Sequence, residues 1–566
     1  MPINFSNSDY ENFLSEDSQT QNRLFSEYQG SNNDFDIIII GSGMGGGILA
    51  DDLADNLGSS QRILLLEAGS YLFPTHVYNI CRFPNADVAR KFAVKTFTQD
   101  GGESDQYYIH EQPQLNFGGR SIFWSGLIPT IQSWELEFFP QRVRQDLADF
   151  YLQEAGQKMN VSLTMGNTAQ AIVAALRDSP LSEHFDIQET PRAIHQPYLT
   201  EQGSPREQFY VESTGVFNTA ELLINQLGLT NDSSGNSSQG LNLLLNRYVQ
   251  HVDRRDGQYV VNVKNTLNGS ERDFTARFVI LAAGSIESPK ILHRSPLFNS
   301  LSNEIKPLVG RGITDHPTTD SVAGLVTHIG DIPIPKSSHG KIIFYSRGKR
   351  DADGSILYPF NVEMNINHEY WHLRENDPTS VTDPFSNTGD SIIDIKFSFG
   401  NCIDDENIIE LGNSSSPNLV PTISFKNLHW LDDLADNRFK ALAGWNKNFD
   451  DIFAVLNGIT YQIFSQFTRH GAEARPEGWY GQDNRDFGYG TVHHAVGTLR
   501  MPTKSSYDAV SFNENSVVNE DLMVIGQDNL FVCDMSVMPI SSAANPVRTL
   551  TGLALRLSNH LQGLIS

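Results

Sequence analysis

The sequence predicts an α/β protein in which a parallel sheet continues into an antiparallel meander and a second domain is built on an antiparallel sheet. Three features lead to this prediction: a strand–turn–helix–strand unit at 34–67, two hairpin turns within 243–282, and short strand-like runs between about 320 and 425. A chain of 566 residues is several times longer than one compact domain, so we expect more than one.

The unit at 34–67 begins with FDIIII, which is short, apolar and β-branched, as is typical of a buried strand. The turn GSGMGGG follows and opens a helix, which Gly58 is placed to end. A second apolar strand at 62–66 is closed by Glu67. Elements in this order form a βαβ unit.

Three glycines of the turn have distinct roles in such a Rossmann-like unit. Gly41 permits the tight turn, Gly43 lets the backbone approach a pyrophosphate, and Gly46 lets the helix pack closely on the strand. The helix N-terminus then binds phosphates, and Glu67, 21 residues after Gly46, accepts hydrogen bonds from a ribose. This unit does not distinguish NAD from FAD, and a glycine turn without a ligand is the alternative.

Three later segments favour FAD, which is longer than NAD and is held along its whole length. GGRSIFWSG (118–126) is a second glycine-rich turn that can bring backbone amides against a flat ring. FVILAAGSIESP (278–289) and DNLFVCDMSVMP (528–539) both contain buried strands, and Asp534 ends the second one. For Asp534 a helix N-cap or a turn residue is the alternative interpretation.

Hairpin signals and helical periodicity divide the rest of the chain into segments. Asp256-Gly257 and Asn268-Gly269 are hairpin signals that predict a small antiparallel meander, and helical periodicity runs through 431–470. The expected organisation is a polar tail at 1–33, an FAD-binding domain in three parts at 34–150, 206–318 and 486–566, a helical cap insertion at 151–205, and a substrate-binding domain at 319–485.

Composition excludes several classes of protein. Lys and Arg number 41 against 67 Asp and Glu, and the net charge of −26 argues against a nucleic-acid or anionic-membrane partner. Three cysteines without a CxxC pair exclude a zinc ribbon, and we expect no metal site. The N-terminus has no basic and apolar signal pattern, and no apolar run reaches the ~18 residues of a membrane span, so we expect a cytoplasmic protein.

From Asp34 onward the sequence resembles the glucose–methanol–choline (GMC) family of flavoprotein oxidoreductases. Six segments resemble family blocks in the family's order: GSGMGGG, GGRSIFW, AAGSIESP, VGRGITDHP, HAVGTLRMP and NPVRTLTGLAL. The resemblance implies an FAD-binding domain and a substrate domain. It also implies the cofactor-binding residues Gly41, Gly43, Gly46, Glu67, Gly118, Gly119, Ser121, Trp124, Ala283, Asp534 and Pro546.

The family's active site has a histidine in an H-x-x-G-T block and a second His or Asn near the C-terminus. His494 and Asn545 match these positions, whereas His493 is one residue out of register and is expected to point elsewhere. A neutral imidazole with a pKa of ~6.5 can accept a hydroxyl proton, and an amide can donate to the developing alkoxide. The alternatives are a buried structural His494, and an Asn545 that only caps a helix starting at Pro546.

The sequence departs from its relatives at the flavin-linking position. Some members, pyranose oxidases included, attach FAD to a histidine of the GGxSxHW block, where this chain has Phe123. Because carbon cannot form that bond, we expect noncovalent FAD. The GGxSxxW form and the Asn-Pro pair resemble the pyranose oxidase-like branch. Trp124 is expected either near the flavin ring or as a core aromatic.

The resemblance implies oxidation of a CH–OH group, with the proton taken by His494 and the hydride passed to flavin N5. The expected substrate is a small alcohol such as a sugar, glycoside or polyol, and the electron acceptor is left open. A non-redox lyase resembling hydroxynitrile lyases and a non-catalytic flavin-binding protein are the alternatives.

Overall fold

We describe residues 33–72, 96, 98–99, 112–162, 167–194, 215–228, 240–319, 321–336, 338, 340–352, 354–367, 389–412, 420–424, 449–478, 487–488, 493–504 and 515–565 of a computed structural model. The tail expected at 1–33, apart from Asn33, and the first part of the helical pattern at 431–470, up to residue 448, lie outside these residues.

Nine α-helices and 25 strands are present in the described part of the chain. The helices are α1 (Met44–Leu57), α2 (Ser133–Leu136), α3 (Gln141–Asp146), α4 (Leu152–Lys158), α5 (Asn167–Arg177), α6 (Thr219–Gly228), α7 (Gly284–Arg294), α8 (Phe449–Phe464) and α9 (Val547–Ile565). The strands are β1 (Asp34–Ile40), β2 (Ile63–Leu66), β3 (Thr98–Gln99), β4 (Val161–Ser162), β5 (Phe185–Glu189), β6 (Arg192–Ala193), β7 (Leu241–Leu244), β8 (Arg247–Arg255), β9 (Gln258–Asn265), β10 (Glu271–Leu281), β11 (Thr318–Thr319), β12 (Val322–Val326), β13 (His328–Ile329), β14 (Ile332–Pro333), β15 (Gly340–Ser346), β16 (Phe360–Ile366), β17 (Ser391–Phe399), β18 (Asn401–Cys402), β19 (Ile408–Glu410), β20 (Thr422–Ser424), β21 (Phe467–Arg469), β22 (Ala472–Glu473), β23 (Phe487–Gly488), β24 (Leu530–Val532) and β25 (Ile540–Ser541).

The first large sheet joins strands that are far apart in the sequence. Its order is β7-β2-β1-β10-β9-β8, with β24 on the same edge of β10 as β9. Strands β7, β2, β1, β10 and β24 are parallel, so their carboxyl ends meet at one edge. Because β1 and β2 are apolar and β1 has a neighbour on both sides, they form the centre of the core.

The antiparallel part of this sheet is the predicted meander. Strand β9 pairs antiparallel with both β8 and β10. The turn between β8 and β9 has positive φ at both central residues, Asp256 (52°) and Gly257 (85°), which is the geometry that Asp-Gly favours. The fold prediction, a parallel sheet with a meander plus an antiparallel sheet, is confirmed.

The second large sheet is antiparallel, with order β23-β11-β17-β16-β15-β5 and β12 paired to β17. Its two faces differ because polar and apolar residues alternate along the strands. One face buries Ile342, Phe344, Val362, Met364, Ile395 and Phe397. The opposite face presents charged residues, among them Lys341, Glu363 and Lys396, to the cleft between the two sheets.

The C-terminal helix α9 packs against α1 and α4, so the end of the chain covers the first βαβ unit. As predicted, α1 ends at Leu57 and is followed by Gly58 with a positive φ of 55°. Among the described helices, none combines the length and apolarity that crossing a membrane requires.

Candidate active site

A cleft of about 540 Å³ opens at the carboxyl ends of the parallel strands. The segments that follow four of these strands all reach it: Gly41 after β1, Glu67 after β2, Ala283 after β10 and Asp534 after β24. Crevices at such strand ends bind ligands in open α/β sheets. Of the residues expected at the site, Gly41, Gly43, Glu67, Gly119, Ser121, Trp124, Ala283, His494, Asp534 and Asn545 line the cleft, whereas Gly46, Gly118 and Pro546 do not.

The first glycine turn is shaped for close backbone approach. A Cβ at Gly41 (φ 108°) would lie 2.4 Å from the Ala282 carbonyl oxygen, and one at Gly46 would lie 2.0 Å from the Gly41 carbonyl oxygen. A Cβ at Gly43 would meet no atom within 4 Å, because it would point into open space at the start of α1. The first turn of α1 carries no acidic residue, so its free N–H groups can receive an anion.

Glu67 and Ser42 connect the first glycine turn to the second. One carboxylate oxygen of Glu67 accepts from Ser42 Oγ (2.5 Å) and the Ser42 N–H (3.1 Å), and the other accepts from the Gly69 N–H (2.8 Å). Ser42 Oγ accepts in turn from the Gly118 N–H at 2.9 Å. Burial raises the pKa of Glu67, and the hydrogen bond from Ser42 opposes this effect.

Asp534 is both a cap and a lining residue. Its Oδ1 accepts from the Ser536 N–H (2.9 Å) at the start of a short 3₁₀ helix, and its Oδ2 accepts from the Gly284 N–H (2.9 Å) at the start of α7. The N-cap interpretation is therefore correct, and it leaves Asp534 at the cleft. A Cβ at Gly284 (φ 89°) would meet no atom within 4 Å, so a second helix N-terminus with open space borders the cleft.

The second glycine turn crosses the first. Gly119 (φ 53°) lies so close to it that a Cβ there would be 3.2 Å from the Gly43 Cα. Trp124 donates its Nε1–H to the Phe217 carbonyl (2.8 Å), lines the cleft and packs against the core. Its packing agrees with the core-aromatic interpretation, and its place in the cleft leaves a position near a flavin ring as a prediction. Two glycine turns, two helix N-termini and a buried carboxylate suit a long dinucleotide.

His494 is paired with a histidine that the sequence analysis did not assign. The backbones of Thr314 and Val496 form an antiparallel bridge with N–H···O distances of 3.1 and 2.9 Å. In this register, His316, two residues after Thr314, lies opposite His494, two residues before Val496. His494 Nδ1 is 2.7 Å from His316 Nε2.

Hydrogen bonding determines which nitrogen of each ring carries the proton. His316 Nδ1 is 3.0 Å from the Ser542 carbonyl oxygen, which can only accept. The proton of a neutral His316 is therefore on Nδ1, and its Nε2 accepts from the Nδ1–H of His494. This leaves Nε2 of His494 as a lone pair that can receive a proton.

Both imidazoles are held neutral. Burial lowers the pKa of His316 to about 4, with a smaller contribution from the positive charge of Lys396. Burial also brings the pKa of His494 well below 6.5, and the neighbouring His316 and His493 act in the same direction. His494 is therefore a neutral base at physiological pH.

Asp315, His316 and His494 are also the one group among the described residues whose ligand atoms, all within 4.8 Å, could hold a metal ion. Two imidazole nitrogens bound to one tetrahedral zinc would be about 3.3 Å apart. The 2.7 Å separation of His316 Nε2 and His494 Nδ1 matches a direct hydrogen bond instead.

Asn545 lines the cleft, and within the described part of the chain its side chain makes no hydrogen bond. Helix α9 begins at Val547, so the buried Pro546 occupies the position before it and Asn545 precedes both. Capping by Asn545 is thus not observed. The preceding loop is held by Glu135, whose Oε1 accepts from the Ala543 N–H at 2.5 Å.

His493, which was expected to point away from the site, is also a lining residue of the cleft. It has a left-handed φ of 62° and borders the cleft beside His494. The sequence analysis also missed His316 and three charged lining residues, Lys341, Glu363 and Lys396. The sequence does contain a pattern that could have identified Lys341, Glu363 and Lys396, because each is a polar residue at an alternate position of an otherwise apolar strand.

Two family models match the sequence. The GMC oxidoreductase model for the C-terminal region matches residues 406–554, and that for the N-terminal region matches residues 233–318. A search of curated proteins found no match.

Solved structures share the fold over nearly the whole chain. A formate oxidase from Aspergillus oryzae RIB40, described for the effect of a mutation on FAD modification, has a TM-score of 0.58 at 16% identity, with 95% of this chain and 99% of that chain covered. A pyridoxine 4-oxidase from Mesorbium loti has a TM-score of 0.57 at 16% identity, with 94% and 99% covered.

Proposed function

From the two family-model matches and the shared fold, which support assignment to the GMC oxidoreductase family, we propose that this chain binds FAD and oxidises the CH–OH group of a small alcohol. The single observation that carries this proposal is the neutral His494, whose Nε2 lone pair is left free by the hydrogen bond to His316. The expectation of a sugar, glycoside or polyol rests on the resemblance alone.

FAD fits the donor groups of the cleft. Its pyrophosphate would meet the N-terminus of α1, where the open space at Gly43 leaves room for it. Glu67 would face the ribose. When bound, FAD supplies the acceptor for the hydride that leaves the carbinol carbon.

The protein's residues handle the hydroxyl group. His494 Nε2 takes the hydroxyl proton and becomes an imidazolium, and His316 Nε2 continues to accept from its Nδ1–H. The Asn545 amide donates to the substrate oxygen as negative charge develops there. Loss of the proton and of the hydride converts the alcohol to a carbonyl compound.

We propose that the FAD is noncovalent, because Phe123, which lines the cleft, offers no atom for a covalent bond. Acid precipitation of the protein should leave the yellow colour in the supernatant. Colour retained in the washed pellet would contradict this proposal.

Anaerobic addition of alcohols and sugars to the purified, FAD-loaded protein tests the function. An oxidising substrate should bleach the flavin absorbance, and His494→Ala should slow bleaching by ~10²–10⁴-fold while FAD content stays unchanged. His493→Ala should have a much smaller effect. Turnover without bleaching would favour the lyase, and a protein unable to take up FAD would overturn the assignment.

A further inference from the structure

Three charged side chains from neighbouring strands lie together at the wall of the cleft. Glu363 on β16 pairs directly with Lys396 on β17, and Lys341 on β15 lies diagonally across from Glu363 on the same face. The Lys341 ammonium is 2.9 Å from Glu363 Oε2, and the Lys396 ammonium is 3.9 Å from the same oxygen. All three residues line the cleft that contains His494.

The lysine–glutamate cluster contains two lysines and one glutamate, and Asp394, on the same face of β17, accepts instead from Asn365 Nδ2 at 2.6 Å. Two ammonium groups share one carboxylate, which pairs closely with Lys341 and also accepts from Ser398 Oγ at 3.3 Å. Among the described residues, Glu363 is the one acid within ion-pair distance of Lys396. The Lys396 side chain is 24% exposed against 11% for Lys341, so Lys396 is the more open of the two toward solvent.

The cluster lies within electrostatic reach of the base. The charge of Lys396 lowers the pKa of both His316 and His494, and that of Glu363 raises both. Such effects weaken with distance. The sheet register supports this proximity: Thr318, two residues after His316, pairs with Ser398 of β17, two residues after Lys396. A molecule whose hydroxyl group reaches His494 can therefore place a second polar group toward Lys396, which lines the same cleft.

We propose that the substrate is an organic anion, an alcohol that also carries a carboxylate, and that Lys396 binds this carboxylate while His494 receives the hydroxyl proton. The inference rests on the proposed function and narrows its substrate class to hydroxy acids, sugar acids included. A neutral substrate offers Lys396 only uncharged acceptors, which stabilise an ammonium group less than a carboxylate does. A carboxylate would form a charge-assisted hydrogen bond there.

Matched pairs of acids and amides test the proposal. Flavin reduction by glycolate, lactate and gluconate is compared with reduction by glycolamide, lactamide and gluconamide, and the second-order rate constant for flavin reduction should favour the acids by ~10-fold or more. Lys396→Met should remove most of this preference. Lys264→Gln, which alters an exposed lysine of β9, should retain it. Equal rates for acids and neutral partners in the wild type would overturn the proposal.

A binding measurement separates this proposal from the proposed function. Isothermal titration calorimetry with butyrate and butyramide requires no turnover, and butyrate should bind more tightly, with the difference lost in Lys396→Met. If butyrate binds in this way but no alcohol bleaches the flavin, the oxidase assignment fails and the anion site stands. If alcohols bleach the flavin but butyrate binds no better than butyramide, the anion site fails alone.

Discussion

His494 and His316 are joined by a 2.7 Å hydrogen bond between Nδ1 of the first and Nε2 of the second, although they are 178 positions apart in the sequence. A Ser542 carbonyl at the far side of His316 orients the whole chain of hydrogen bonds. The consequence is that a backbone oxygen, acting through one imidazole, determines which nitrogen of the other can accept a proton.

Replacing His316 tests this arrangement. In His316→Phe the Nδ1–H of His494 loses its acceptor, so the ring can turn or change tautomer, and flavin reduction should slow by about 10–100-fold with FAD content unchanged. His293→Phe is the matched control, because His293 packs against Phe298 with the ring centroids 4.7 Å apart and does not line the cleft. Equal effects of the two substitutions in stopped-flow experiments would argue against an orienting role.

The lowered pKa of His494 predicts the pH dependence of flavin reduction. A base whose pKa is depressed stays deprotonated above that pKa, so the rate should be constant from about pH 8 down through 6.5 and fall only at more acidic pH. Anaerobic reduction measured across this range checks the prediction. A loss of activity with its midpoint near 6.5 would show an unperturbed base.

Asn545 is expected to act through its N–H donor. Asn545→Asp keeps the shape but places a negative charge against the developing alkoxide, so reduction should slow by ~10²–10³-fold or more. Thermal stability should stay near wild type, since no hydrogen bond of Asn545 to the described residues is lost. Asn559→Asp, at an exposed site in α9, is the control. A near-normal rate of flavin reduction in Asn545→Asp would show that Asn545 is not the second catalytic residue.

Substitutions at two glycines of the first turn should have different effects, one on FAD binding and the other on thermal stability. Gly43 has φ −65° and ψ −169°, which other residues adopt, so Gly43→Val should fold normally but bind FAD roughly 10-fold or more weakly. Gly46→Ala would push a Cβ to 2.0 Å from the Gly41 carbonyl and should lower Tm even without FAD. Thermal melts and FAD titrations of both variants distinguish these effects. Tight FAD binding by Gly43→Val would show that the pyrophosphate does not pass this residue.

Local patterns were sufficient to predict the first βαβ unit and the hairpin of the meander. The strand, glycine turn and helix at 34–57 and the Asp256-Gly257 hairpin depend on interactions between neighbours in the sequence, so their positions follow from residue type and spacing. The resemblance to the family also identified His494 and Asn545 as candidate site residues, because each lies in a short sequence block that resembles a family block.

Pairing between distant segments decided the rest. His316 becomes the partner of His494 only because Thr314 bridges Val496, and the approach of the two backbones depends on Gly497, where a Cβ would lie 2.5 Å from the Gly312 carbonyl oxygen. Lys341, Glu363 and Lys396 were visible as polar residues on separate strands, but their shared charge exists only in the register of β15, β16 and β17. The sequence by itself determined the two glycine turns and singled out His494 as the candidate base, because these features are local. The tertiary structure alone decided the protonation pattern of the base and the charge of the cleft, because both arise from contacts between strands and loops that no local spacing specifies.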